Sequence, residues 1–241
     1  MVNLKQTAID IFDAAGTRFL SPPSRSFGYY INHGPRDKRR VALTFDDGPS
    51  RPCTDYLLDA MRTLNVKGTF FSMGVNARYH PDLLLEMYNE GHVIGNHSGN
   101  HTRLGGLKLG PDDGHIADGE KAITDAINAR PMFYRPPWGW LTPWEGQRLT
   151  KAGYKVIGWD VYTLDWKIPE VSGQIIARDT CRDVKPGSII CFHDAKPWEK
   201  VWEKRETTHA VQALVPLLRD QGYEFVTIAE LLGTPAYGSV R

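Results

Sequence analysis

The sequence predicts an α/β protein, a seven-unit (β/α) barrel preceded by a short N-terminal extension. Three observations carry this reading. From Arg40 onward, apolar runs of strand length alternate with amphipathic helical stretches, the pattern of a parallel sheet with helices outside. Seven such units fit into about 190 residues, a density that suits a barrel, closed or incomplete, better than an open sheet. No low-complexity stretch or linker divides residues 40–241, so they read as one domain, with residues 1–39 as an extension packed on it.

Taken in order, Leu4, Ala8, Phe12, Ala15 and Phe19 recur at helical spacing, and Ser21-Pro-Pro-Ser24 ends that helix. An irregular segment with Tyr29, Tyr30 and Gly34 leads to the first strand. Strands are expected at 41–45, 68–73, 92–96, 132–135, 155–159, 188–192 and 224–227. Helices are expected at 53–64, 80–90, 112–129, 143–152, 170–181, 207–220 and 228–232.

Composition excludes several function classes. The 241 residues carry a net charge of +1, which favours no polyanionic partner, and the short run Lys38-Arg39-Arg40 reads as a solvated loop. Nucleic-acid binding therefore has no support. Cys53, Cys181 and Cys191 are an odd number without paired metal spacing, read as reduced thiols, which leans towards the cytoplasm. Lys5, Asp10, Asp13 and Arg18 interrupt the N-terminus, so neither a signal peptide nor a membrane span is expected, although a removed leader would allow secretion. A monomer or weak oligomer is the expected state.

The chemistry gathers at strand ends. Val41-Ala-Leu-Thr-Phe-Asp-Asp-Gly-Pro49 is a buried strand that stops at two adjacent carboxylates. Such a pair needs a cation, a shared proton or divided tasks to coexist. Later strands end in Asn96-His97-Ser-Gly-Asn-His101, Arg135-Pro-Pro-Trp-Gly139, Trp159-Asp160 with Asp165-Trp166 soon after, and His193-Asp194. In a (β/α) barrel those ends form the active face. His97 and His101 with one of the two aspartates make a two-His, one-carboxylate set that leaves a coordination position open, as in catalytic metal sites, most often zinc. The other aspartate is then free to act as a general base, and Arg135 is a candidate to hold it ionised. His193 could protonate a leaving group, with Asp165 to orient and charge it. Trp138, Trp140, Trp144 and Trp166 on the same loops suit a sugar-ring platform. The reaction class that results is metal-assisted hydrolysis of an acyl bond.

Thr44-Phe-Asp-Asp-Gly-Pro49, His97-Ser-Gly-Asn-His101, Arg135-Pro-Pro-Trp138, Leu164-Asp-Trp166 and Ile189-Ile-Cys-Phe-His-Asp194 occur in this order. Together they resemble the five motifs of the polysaccharide deacetylases, carbohydrate esterase family 4, over about residues 40–232. The resemblance implies a distorted (β/α) barrel and hydrolysis of acetyl groups on sugars, with a divalent ion as cofactor (zinc foremost, cobalt or nickel as alternatives). By position it implies Asp46 as general base, Asp47, His97 and His101 as metal ligands, Arg135 as the partner of Asp46, and His193 as general acid tuned by Asp165. It further implies the backbone N–H of Trp138 as an oxyanion donor, and Trp166 with Cys191 as the pocket for the acetyl methyl.

Three residues depart from the family pattern. Trp138 stands in place of the usual Tyr, Tyr162 in place of an Asp or Asn, and Cys191 in place of a Leu. None removes a reacting group. The expected activity is N-deacetylation of N-acetylglucosamine-containing oligo- or polysaccharides, chitin-like or peptidoglycan-like. The alternatives are an O-acetyl esterase on xylan, metal-independent hydrolysis of cyclic amides (opposed by the intact His97 and His101) and an inactive sugar-binding relative. Segment 195–206, with Trp198 and Trp202, reads equally as a packed helix or as a lid over the sugar site.

Overall fold

The computed structural model describes residues 28–101, 114–167, 171–197 and 205–240. The expected helix over residues 1–20 and the tryptophans of segment 195–206 lie outside the described residues.

Nearly all of the chain's main sheet is one curled parallel path. Its strands are β1 (Tyr30–Ile31), β2 (Arg40–Asp46), β3 (Thr69–Ser72), β4 (Val93–Asn96), β6 (Phe133–Tyr134), β7 (Lys155–Ile157), β8 (Val161–Tyr162) and β9 (Ile189–His193). They run in the order β1-β7-β6-β4-β3-β2-β9-β8, and β10 (Glu224–Phe225) pairs with the start of β2. Two short strands, β5 (Arg130–Pro131) and β11 (Tyr237–Gly238), form a separate antiparallel pair. The path has β1 at one end and β8 at the other, so the architecture is a distorted half-barrel.

Alternation along β2 sets the two layers. Val41, Leu43 and Phe45 point outward into a core shared with the helices, while Ala42 joins an inner cluster with Phe71, Phe133, Ile157 and Ile189. The next inward positions are Thr44 and Asp46, so the apolar interior gives way to polar groups only at the strand's C-terminal end. Helices α1 (Cys53–Leu64), α2 (Gly74–Tyr79), α3 (Pro81–Asn89), α4 (His115–Ile127), α5 (Pro143–Lys151), α6 (Gly173–Asp183), α7 (Glu206–Asp220) and α8 (Ile228–Leu232) surround the sheet. Their apolar faces supply Leu57, Leu58, Met61, Leu84, Ile123, Val211 and Leu214 to the outer core. No helix among the described residues is long and apolar enough to cross a membrane.

The strands and helices expected between residues 41 and 232 all appear, with ends shifted by a few residues at most. Five of the elements named above were not anticipated, two of them the antiparallel partners β5 and β11. Tyr30–Ile31, read from sequence as irregular, pairs in parallel with Val156 and Ile157, so the last part of the extension is built into the sheet. Val161–Tyr162 adds a strand beside β9, and Gly74–Tyr79 adds a helix. Each is six residues or fewer, too short to show a hydrophobic period of its own.

Candidate active site

Register brings the two ends of the central strands together. Asp46 on β2 lies opposite His193 on β9, and Thr44 lies opposite Cys191. All four side chains therefore face the barrel interior at its C-terminal rim. The loop after β2 then turns sharply: Asp47 has φ 78°, in the left-handed region, so its carboxylate swings away from that of Asp46. Asn76 Nδ2 donates to the Asp47 carbonyl at 2.7 Å and fixes that turn.

The loop after β4 is held in the same manner. Asn96 Oδ1 accepts from Ser98 N at 2.9 Å, and Ser98 Oγ accepts from His101 N at 3.1 Å. Ser98 (φ 70°), His101 (φ 56°) and Trp138 (φ 55°) share with Asp47 the sparsely populated left-handed backbone. Four such non-glycine residues around one cavity mark where the chain stores strain to aim side chains.

Asp47, His97 and His101 are all buried and converge. Asp47 Oδ1 lies 3.4 Å from His97 Nε2 and 3.3 Å from His101 Nε2. That is the spacing of neighbouring ligands around a tetrahedral ion with bonds of about 2.0–2.1 Å. Asp47 Oδ1 is also buried without a hydrogen-bond donor, a costly state that a cation relieves. His97 Nδ1 donates to the Arg135 carbonyl at 2.7 Å, which leaves the Nε2 lone pair facing the cluster. Burial lowers the His101 pKa to about 4, so its imidazole is neutral and able to ligate at neutral pH. Burial would raise Asp47, but the imidazoles of His101 and His97 outweigh it and hold the carboxyl below its ordinary value. The three residues thus fit a divalent ion.

Arg135 is fully buried and spends its guanidinium on fixed partners. Nη1 donates to Asp46 Oδ1 at 2.7 Å and to Thr44 Oγ1 at 2.8 Å, and Nη2 donates to the Gly158 carbonyl at 2.9 Å. The cation lies 4.1 Å from the centre of the Phe71 ring. Gly95 makes that packing possible, because a Cβ there would approach the Phe71 ring to 2.6 Å. Cys191 Sγ lies 3.5 Å from Asp46 Oδ2, and burial followed by the Asp46 charge pushes its pKa well up, so it remains a thiol. Asp46, Cys191 and His193 could also converge on an ion, but the Arg135 cation on Asp46 and the protonated thiol make that set the poorer one.

His193 donates from Nδ1 to Asp165 Oδ1 at 2.9 Å, and its backbone N–H reaches Asp165 Oδ2 at 2.7 Å. Asp165 also accepts from Thr163 Oγ1 and Thr207 Oγ1, each at 2.9 Å, so both of its oxygens are doubly engaged. Burial alone would lower the His193 pKa, but Asp165, through its charge and its hydrogen bond, raises it to about 9. Trp138 packs edgewise on the His101 ring at 4.1 Å between centroids. Trp166 and Trp144 are nearly half exposed, whereas Trp140, grouped with them in the sequence, is buried in the fold.

Several contributors were given no role of their own by the sequence. Thr207 lies in the first turn of α7, 42 residues from the carboxylate it touches. Thr163 lies two residues before Asp165, and Thr44 was visible only as part of a motif. Asp194 is the most consequential of these. Its Oδ1 accepts from Gly48 N at 3.1 Å and its Oδ2 from Thr54 Oγ1 at 2.7 Å, which ties the loop after Asp47 to the end of β9. A Cβ on Gly48 would sit 2.1 Å from that carboxylate. Asp194→Ala strands two buried donors and should cost about 1–3 kcal/mol, measured by denaturant unfolding of the metal-free protein. An unchanged midpoint would remove Asp194 from this role.

Comparison with known proteins agrees with this arrangement. Residues 33–157 match the polysaccharide deacetylase family. A peptidoglycan-N-acetylglucosamine deacetylase of Bacillus cereus is 33% identical over 205 residues, 85% of this chain and 72% of that protein. The peptidoglycan-N-acetylmuramic acid deacetylase PdaC of Bacillus subtilis is 30% identical over 195 residues, 81% of this chain and 39% of that protein. Among solved structures, a peptidoglycan N-acetylglucosamine deacetylase in complex with 4-naphthalen-1-yl-N-oxidanyl-benzamide superposes with a TM-score of 0.79 at 33% identity, covering 86% of this chain and 94% of that one. Matched along most of its length, with the curled parallel sheet and the Asp-His-His cluster in place, this chain belongs to the polysaccharide deacetylases of carbohydrate esterase family 4, metal-dependent hydrolases of linear amides.

Proposed function

We propose that this protein removes acetyl groups from N-acetylglucosamine units of peptidoglycan-type glycans, releasing acetate and leaving a free amine on the sugar. The single observation that carries the reading is the pair of divided aspartates. Asp46 is bound to Arg135, while Asp47, its neighbour in sequence, faces two histidines. The names of the relatives supply the glycan.

Asp47, His97 and His101 would hold the ion, and zinc suits their two nitrogens and one oxygen. When bound, it supplies a Lewis acid that polarises the acetyl carbonyl and acidifies water. The remaining work belongs to the chain. Asp46 keeps Oδ1 on Arg135 and has Oδ2, beside the Cys191 thiol, to take the proton of the attacking water. The Trp138 backbone N–H, on its left-handed turn, would donate to the oxygen that gains negative charge. His193 carries a proton on Nε2 because Asp165 keeps it charged, and delivers it to the amide nitrogen as the C–N bond breaks. The buried Cys191 thiol, small and apolar, would line the methyl pocket together with Trp166.

The test is acetate release from chitotetraose and from peptidoglycan fragments by the zinc-loaded protein, before and after chelation. Release that stops with chelator and returns with zinc is expected. No release from any of these by the folded, loaded protein would sink the reading.

A further inference from the structure

The register of β8 decides where its two side chains go. Val161 pairs with Ile190 and Tyr162 with Cys191. Val161 and Ile190 both belong to the outer core, so Tyr162, one position on, shares the side of Cys191, the barrel interior. Among the described residues β8 ends the strand order, so no further strand there roofs this side chain, and Tyr162 is 45% exposed. It is nonetheless held. Its ring stacks on Trp159 at 5.5 Å and 27°, and meets the His193 ring edge-on at 6.1 Å and 85°. Trp159 in turn lies under the Arg135 guanidinium, 5.5 Å from its centre.

We propose that Tyr162 is a specificity-determining residue, a stacking platform for the pyranose that carries the reacting acetamido group. This rests on the deacetylase reading of the site. His193 must reach the amide nitrogen, and that nitrogen is bonded directly to the sugar ring. The pyranose therefore sits beside His193, and Tyr162 is the exposed ring packed against His193. With Trp159 stacked on it and the His193 ring perpendicular to it, the exposed part of Tyr162 is the surface left for a ligand. An aromatic face is electron-rich and attracts the polarised C–H groups of a sugar face. A ring already fixed by stacking loses little conformational freedom on binding. The Asp or Asn that the family pattern places here could offer hydrogen bonds but no such face. Leu164 and Trp166, 45% and 44% exposed, extend the apolar wall from the same segment.

The experiment compares Tyr162→Ala and Tyr162→Phe with the unaltered enzyme on chitotetraose. Tyr162→Ala should raise KM about tenfold, the loss of roughly one stacking contact, and leave kcat within about threefold. Tyr162→Phe should keep KM within about twofold, and the alkaline limb of the pH profile should stay in place in both. An unchanged KM in Tyr162→Ala overturns the platform. So does a fall in kcat with a displaced alkaline limb, which would make Tyr162 a partner of His193 instead. Calorimetry of tetramer binding to Asp46→Asn, with and without Tyr162→Ala, separates the two proposals. If the unaltered enzyme releases no acetate but binding weakens about tenfold in Tyr162→Ala, the platform stands and the deacetylase reading falls. If acetate is released while Tyr162→Ala binds normally, the platform alone falls.

Discussion

Asp46→Asn should lower kcat by about 10²–10⁴-fold, the usual worth of a positioned general base. The carboxamide oxygen still accepts from Arg135 Nη1, so the buried guanidinium retains a partner and the protein should fold. Its amide nitrogen, however, cannot take a proton from water. Zinc binding should survive, because Asp47, His97 and His101 are untouched. The informative measurement is therefore paired: acetate release for turnover, and isothermal titration for the ion. Loss of both would indicate a collapsed site and would not isolate the base. Full activity would remove Asp46 from the mechanism altogether.

Asp165→Asn should be nearly as severe, and its signature is a displaced pH profile. Asp165 accepts hydrogen bonds from the His193 ring, the His193 backbone, Thr163 and Thr207. An amide in its place brings an N–H₂ against at least one of those donors and removes the charge. The raised pKa of His193, about 9, should then fall to or below the ordinary value near 6.5. In the unaltered enzyme His193 is protonated throughout neutral pH, so with His193 as the proposed general acid activity should fall as pH rises through about 9. In Asp165→Asn that alkaline limb should appear about 2.5 units lower or more. The same group gives a stability expectation. The folded state favours charged His193, so its contribution is complete below about pH 6.5 and is lost as pH rises through about 9. NMR titration of the imidazole in the metal-free protein measures the pKa directly. An unshifted limb in Asp165→Asn would show that His193 is not the proton donor.

Much of this was legible before any coordinates. Alternating apolar strands and amphipathic helices announced the barrel, since the periods of 2 and 3.6 are local properties of the chain. Polar clusters following five of the seven expected strands announced the active face, because the ends of parallel strands share one side. The division of labour between Asp46 and Asp47 came from the resemblance alone. The feature that supports it is a single left-handed residue, Asp47, which sends two adjacent carboxylates in different directions.

What sequence could not show were contacts made across the fold. Thr207 and Asp165 are 42 residues apart, and Asp194 reaches back 146 residues to Gly48. Hydrogen bonds of that kind leave no periodic trace, and Thr and Asp are common in turns for other reasons. Tyr162 shows the difference most clearly. In sequence it stood as a departure from a motif. In the fold, strand register points it inward, the unroofed end of the sheet exposes its ring, and Trp159 and His193 hold it in place. The chain alone determined the architecture and the reacting groups, because both follow from local pattern and residue type. Only the tertiary structure decided which groups hold those side chains and which aromatic rings stand exposed beside them, because that depends on register and packing between distant segments.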